Sequence, residues 1–95
     1  MEKVVEKNSS LAWFRLSEFV ARGEKERALE IYRLLSHSIE NKAVIAQLKG
    51  DILSAFGDKE ALKEYTKAVS EYEKRNDLFQ AAVLNKKINQ IFLNE

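Results

Sequence analysis

His37 and Glu40 are the residues whose types and spacing come closest to a chemical site in this chain. Three positions apart on a helix, an imidazole and a carboxylate share one face, and both side chains bind zinc. His37 is the only histidine and there is no cysteine, so the chain lacks a second imidazole or a thiolate to complete such a site. The other interpretation of His37 is a solvated residue in the last turn of a helix, where a cation interacts favourably with the helix dipole. We therefore predict no catalytic residue, no metal site and no cofactor.

The charged residues alternate in sign along the chain. Sixteen lysines and arginines stand against fifteen acidic residues, a formal net charge of +1. Binding to nucleic acid or to an anionic membrane usually needs a clearly basic face, and the pair Lys86-Lys87 is too short a run to supply one. No apolar stretch approaches the ~18 residues of a membrane span, and the N-terminus lacks the apolar segment of a signal peptide. We predict a non-enzymatic cytoplasmic protein that binds neither nucleic acid nor a membrane.

The elements that must position any site are predicted to be helices. The chain has no proline and three glycines, and its apolar residues recur at spacings of three and four. Polar breaks fall at Gly23, at Asn41, at Gly57-Asp58 and at Asn76-Asp77, where they match helix stops and caps. The first helix is predicted from about Leu11, with Ser9 or Ser10 as its cap. The pattern predicts an all-α fold of five helices.

Two stretches of the chain repeat each other. Ala28-Leu29-Glu30-Ile31-Tyr32-Arg33 aligns with Ala61-Leu62-Lys63-Glu64-Tyr65-Thr66 at an offset of 33 residues. At the same offset, Trp13-x2-Leu16-Ser17-x2-Val20 aligns with Ala46-x2-Lys49-Gly50-x2-Leu53. A third copy of the first helix follows as Leu84-x2-Lys87-Ile88-x2-Ile91, at an offset of 38 from the second copy. A period in the thirties with helical spacing inside each copy is typical of stacked helical hairpins.

These spacings resemble the tetratricopeptide repeat, whose pattern is W-x2-L-G-x2-Y followed by A-x3-F and a proline. The closing proline is missing from both copies, and Lys49 and Lys87 stand where a leucine is usual. The resemblance implies a right-handed array of antiparallel helical hairpins. It divides the chain into a flexible N-terminus at 1–9 and a single domain at 10–95, composed of repeat one at 10–40, repeat two at 41–75 and a capping helix at 76–95.

The same pattern predicts how the helices pack. Small residues are expected where two helix backbones approach most closely, and large residues are expected to fill the gaps between hairpins. The small positions are Ser17, Ala28, Gly50 and Ala61, and the large ones are Trp13, Tyr32 and Tyr65.

The resemblance also implies a function. In such arrays the first helix of each repeat lines a concave groove that receives a peptide or helix of another protein, which makes the protein an adaptor or scaffold. The groove positions carried over to this chain are Phe14, Arg15 and Glu18 from the first helix, Gln47, Leu48 and Asp51 from the third, and Asn85, Lys86 and Asn89 from the fifth. The amides of Asn85 and Asn89 lie four positions apart and suit a peptide backbone, whereas Phe14 and Glu18 cannot donate to a terminal carboxylate. The other interpretation is that all nine are ordinary half-exposed helix positions.

The fifth helix suggests a second possible role. No helix follows it, and its apolar residues exceed what a capping helix needs. If Phe79, Ile91, Phe92 and Leu93 are exposed, they form a patch that joins two copies of the chain as a homodimer. The other interpretation is that most of the four are buried against the fourth helix.

Overall fold

The computed structural model describes the backbone of residues 2–93 and the side chains of residues 11–92. Its described residues form five α-helices and a closing π-helical turn, without strands. The helices are α1 (Glu2–Ala21), α2 (Lys25–Ser36), α3 (Lys42–Ala55), α4 (Glu60–Lys74) and α5 (Leu78–Ile88), and the turn is Asn89–Leu93. The predicted all-α fold with five helices is confirmed. The right-handed course of the array stays a prediction.

The first helix begins earlier than its sequence suggests. Residues 2–10 continue the helix that was predicted to start at about Leu11, so Ser9 and Ser10 lie inside α1 and do not cap it. No glycine or proline interrupts residues 2–21, and serine is tolerated in a helix interior at a modest cost.

Leu93 ends the described backbone, and its side chain lies outside the described residues.

The ends of three helices share one backbone motif. At the end of α1, Glu24 N–H donates to Phe19 O (2.9 Å) and Gly23 N–H donates to Val20 O (3.1 Å), with Gly23 at φ 75°. This pair of hydrogen bonds is the Schellman motif, which needs a left-handed residue after the helix. The same pair closes α3 around Gly57 at φ 68° and α4 around Asn76 at φ 61°. The predicted stops at Gly23 and Gly57 are therefore confirmed.

The starts of α3 and α5 are also set by neighbouring residues, through side-chain caps. Asn41 caps α3, as predicted, because its Oδ1 accepts from the N–H groups of Ala43 (2.9 Å) and Val44 (3.4 Å). Asp77 caps α5 by accepting from the N–H of Gln80 (3.3 Å). Asn41 and Asp77 hold the same capping position at the starts of α3 and α5. They are 36 positions apart, so each residue of α3 corresponds to the residue of α5 that lies 36 positions later.

The chain divides into two compact units, Met1–Glu40 and Asn41–Glu95. The first unit is the hairpin of α1 and α2, in which Leu16, Ala28 and Leu35 are buried. The guanidinium of Arg27 lies 5.8 Å from the centre of the Phe19 ring, a cation–π contact across the hairpin.

The second unit contains α3, α4, α5 and the π-turn, with α4 packed against both α3 and α5. Its core includes Tyr65 and Leu84, each at most 2% exposed, together with Ala61, Ala68 and Tyr72. A Cβ placed on Gly50 would come within 2.7 Å of the Tyr65 ring, so α3 and α4 approach as closely at this point as the glycine allows. The predicted close contact at Gly50 is confirmed, and Ala28 and Ala61 are fully buried, as expected of small residues between helices.

Two of the packing predictions are wrong. Ser17 is exposed, and Trp13 is 41% exposed and does not fill the core. The reason is a one-residue shift between the first helices of the repeats. Gly23 and Gly57, which end α1 and α3 in the same way, are 34 positions apart, whereas the offset between α2 and α4 is 33. At 34, Trp13 corresponds to Gln47, which is half-buried, and no longer to the buried Ala46.

Candidate functional site

A polar network on the second unit joins three helices. Asp51 of α3 accepts a 2.5 Å hydrogen bond from the hydroxyl of Tyr65 on α4 and a 2.8 Å hydrogen bond from Nζ of Lys87 on α5, both at Oδ1. The same ammonium lies 5.4 Å from the centre of the Tyr65 ring, within cation–π range. Asp51 therefore joins the hydroxyl of a buried tyrosine to the ammonium group that lies over the ring of the same tyrosine.

A second tyrosine fixes a neighbouring side chain in the same way. The hydroxyl of Tyr72, also buried on α4, donates to Oε1 of Gln47 at 2.7 Å. Gln47 and Asp51 are four positions apart on α3, so they lie on one side of that helix. Because Oε1 of Gln47 is occupied, its amide group can present N–H donors to solvent.

We call Gln47, Asp51 and Lys87 the polar face of the second unit. The side chains of Asp51 and Lys87 are each 42% exposed, so solvent reaches both charges. An ion pair at this exposure contributes at most about 1 kcal/mol to stability. Its value to the protein therefore lies in holding three polar side chains in one arrangement, because the two tyrosines below them are immobilised by burial.

Both tyrosine hydroxyls are held in the protonated form. Burial raises the pKa of Tyr65, and the hydrogen bond to the Asp51 carboxylate raises it further. Burial also raises the pKa of Tyr72, with added contributions from the charges of Asp77 and Asp51. Both phenols remain donors well beyond neutral pH, which keeps Asp51 and Gln47 in place.

The groove residues predicted on the second unit occupy two different regions. Gln47 and Asp51 belong to the polar face, and Leu48 beside them is half-buried. Asn85, Lys86 and Asn89 are exposed on α5, but the α5 residue that contacts Asp51 is Lys87. The offset of 36 given by the helix caps accounts for this pairing, since 51 and 87 are 36 apart.

The repeat alignment from Ala46 to Leu84 used an offset of 38, which put Asn85, Lys86 and Asn89 at the places of Gln47, Leu48 and Asp51. Sequence reasoning missed Lys87, Tyr65 and Tyr72 as parts of the site. Lys87 did carry a signal, because it stands where the repeat pattern has leucine. Lys49, the other such lysine, has its Nζ 3.9 Å from the carboxylate of Glu64, whose side chain is only 11% exposed.

The groove residues predicted on the first unit lie on α1. Phe14 is 63% exposed and Arg15 is exposed, whereas Glu18 is half-buried and forms a 3.4 Å ion pair with Arg22 one turn later. Exposed Phe14 suits the apolar contact predicted for it, and its part in binding stays a prediction.

The predicted self-association residues differ in their exposure, and their part in joining two copies stays a prediction. Phe79 is 74% exposed, the most exposed large apolar residue described. Ile91 and Phe92 are half-buried, and Phe92 contacts the edge of the Tyr65 ring at a centroid distance of 6.4 Å. They line a cleft with the loop that joins α3 to α4. Leu93 is outside the described side chains.

The predicted His37 and Glu40 pair does not share a helix. His37 is the exposed C-cap of α2, and Glu40 lies in the non-helical segment that follows. Among the described residues, no group of three or more histidine, cysteine or acidic side chains is placed to hold a metal ion. Within that same part of the chain, no helix combines the length and apolar character needed to cross a bilayer.

Comparison with models of known protein families, with curated proteins and with solved structures gives no match for this chain.

Proposed function

We propose that the chain is a protein-binding module, an adaptor or scaffold that receives a peptide or helix of another protein on the polar face of its second unit. The observation that carries this proposal is the polar face, where Gln47, Asp51 and Lys87 are half-exposed and held from below by buried tyrosines. Side chains that are already fixed lose little conformational entropy when a partner binds, so they favour recognition.

The chemistry of the polar face suits an extended or helical peptide. Lys87 and the Gln47 amide provide donors for peptide carbonyls, and Asp51 provides an acceptor for N–H groups or for a basic side chain. Exposed Val44, one turn from Gln47 on α3, supplies apolar contact beside them. The mixture of donors, an acceptor and apolar neighbours is what protein interfaces typically contain. The resemblance to tetratricopeptide repeats, in which the equivalent face binds partners, supports the same function.

The proposal is tested by affinity capture from a lysate of the source cells with mass-spectrometric readout. The native chain is compared with a Gln47→Ala, Lys87→Ala double variant. Removing both side chains is expected to reduce recovery of a binding partner at least tenfold, because polar contacts at an interface centre carry a large share of the affinity.

The matched control is a Lys63→Ala, Thr66→Ala double variant, which removes two exposed side chains from the outer side of α4. The control is expected to capture the same proteins as the native chain. Circular dichroism and the urea midpoint establish that both variants are folded. A partner retained by the folded Gln47→Ala, Lys87→Ala variant, or lost equally by both variants, overturns the proposal.

A further inference from the structure

A second surface of the chain is the side of α5 that faces away from α4. Ala81, Leu84 and Ile88 are buried, and they lie on the side of the helix that packs on α4. Phe79, Ala82, Val83 and Lys86 recur at spacings of three and four on the opposite side, and all four are exposed. We call these four residues the outer face of α5.

Helix α3 of the same chain shows what covers the corresponding face of a helix. At the cap offset of 36, Phe79, Ala82 and Lys86 correspond to Ala43, Ala46 and Gly50 of α3. Those three α3 residues are buried, and the ring of Tyr65 on α4 lies directly against Gly50. The side of α3 that its hairpin partner covers is therefore the side that α5 leaves uncovered among the described residues.

The outer face of α5 and its neighbour Leu78 expose several large apolar side chains close together. Phe79 is 74% and Val83 is 48% exposed, and neighbouring Leu78 is 61% exposed. A buried aromatic side chain covers about 150–250 Å², and on that basis these three residues together expose roughly 350–400 Å² of surface. A stable contact between two folded subunits covers about 800 Å² on each partner. The apolar area exposed here is about half of that value, which favours a single helix over a whole folded subunit as the occupant.

The charge of Lys86 favours a different protein over a second copy of the chain as the occupant of this face. Lys86 is the only charged member of the outer face, and it forms no ion pair with a described residue. If Phe79 packs against Val83 of an antiparallel second copy, Lys86 lies opposite position 76, between Arg75 and Asp77 of that copy. A parallel copy sets Lys86 against its own equivalent. The parallel copy brings two cations together, and the antiparallel copy sets no carboxylate directly opposite Lys86, whereas a helix with an acidic first turn does so.

We propose that the outer face of α5 docks an amphipathic helix of another protein, which takes the place that α4 occupies on α3. Like α4 on α3, the docked helix runs antiparallel to α5. It places apolar residues against Phe79 and Val83, and it places an acidic residue near its N-terminus against Lys86. Acidic residues are favourable in the first turn of the docked helix for its own dipole as well. This surface is separate from the polar face, so it stands whether or not the groove function is correct.

The probe for this surface is a synthetic 15-residue amphipathic helix that carries leucines at positions i, i+3 and i+7 and a glutamate in its first turn. A second peptide replaces that glutamate by lysine. Fluorescence anisotropy of each labelled peptide measures Kd for the native chain. The glutamate peptide is expected to bind about threefold more tightly than the lysine peptide, which is the range of a partly exposed ion pair.

Two variants locate the site. Phe79→Asp is expected to weaken binding of the glutamate peptide at least tenfold, because it removes the main apolar anchor. Lys86→Glu is expected to reverse the preference, so that the lysine peptide binds more tightly. Leu62→Asp, which changes an exposed leucine on α4, is the matched control and leaves both affinities unchanged.

Sedimentation velocity of the native chain from 5 to 500 μM completes the test. A monomer throughout, together with the reversed preference of Lys86→Glu, supports the proposal. A dimer that Phe79→Asp abolishes assigns the face to a second copy and overturns it. Absence of peptide binding, equal binding of both peptides, or binding that Leu62→Asp weakens as much as Phe79→Asp also overturns it. All variants are used only if circular dichroism shows native helix content.

Discussion

Gly50→Ala is the substitution that tests the packing of the second unit most sharply. The new methyl group would lie 2.7 Å from Cδ1 and Cε1 of Tyr65, closer than carbon atoms approach in folded proteins. Tyr65 cannot move aside without cost, because it is fully buried and its hydroxyl is bonded to Asp51. Either α3 and α4 separate or the hydrogen bond to Asp51 is broken.

The expected magnitude follows from two opposing effects. Replacing a glycine by alanine in a helix interior stabilises the helix by about 1 kcal/mol. Overpacking of a tight core costs about 1–3 kcal/mol, and loss of a hydrogen bond to a charged group costs about 1.5–3 kcal/mol. Loss of the hydrogen bond less the gain in helix propensity gives an expected fall of about 0.5–2 kcal/mol in the free energy of unfolding for Gly50→Ala. Urea denaturation followed by circular dichroism at 222 nm measures it.

A double-mutant cycle supplies the control. In a Tyr65→Val background the ring is gone, and Gly50→Ala should then stabilise the chain through helix propensity alone. The sign of the Gly50→Ala effect should thus change between the two backgrounds. A neutral or stabilising Gly50→Ala in the otherwise native chain would refute the close contact between α3 and α4.

Two further predictions concern the titration of the tyrosines and the start of α3. Because the pKa values of Tyr65 and Tyr72 are raised in the folded state, the stability linked to their protonated forms is complete below pH ~10, the ordinary tyrosine value, and is lost as the pH rises above it. Urea midpoints between pH 8 and 11.5 should fall more steeply for the native chain than for Tyr65→Phe, and parallel curves would contradict the raised pKa of Tyr65. Asn41→Ala should lower the unfolding free energy by about 1 kcal/mol, because two N–H groups of α3 lose their acceptor. Asn41→Asp, which keeps the acceptor, should be close to neutral in the same urea titration, and equal losses for the two variants would show that the cap is not the cause.

The helices were predictable because their signals are local. The left-handed stops at Gly23 and Gly57 and the cap at Asn41 depend on a few neighbouring residues, and the apolar spacing fixes the helix type. The start of α1 was missed because Ser9 and Ser10 fit either a cap or a helix interior. Nothing in the local sequence decides between these two positions.

The site was harder to predict because it depends on register. A shift of one residue between α1 and α3 turned Trp13 from an expected core residue into an exposed one, since each step rotates a helical position by about 100°. A shift of two residues between α3 and α5 hid the pairing of Asp51 with Lys87. The network on Tyr65 joins positions far apart in the chain, and only the packed helices bring them together.

The most direct test of the account is photo-crosslinking in the source cells with a photoreactive amino acid at Val44, which is exposed beside the polar face. The same amino acid at Lys63, on the outer side of α4, is the control. We predict a defined adduct with another protein at position 44 that is absent at position 63 and that Gln47→Ala, Lys87→Ala removes. Adducts of equal yield at both positions, or none at position 44, would contradict the claim that this face binds a partner.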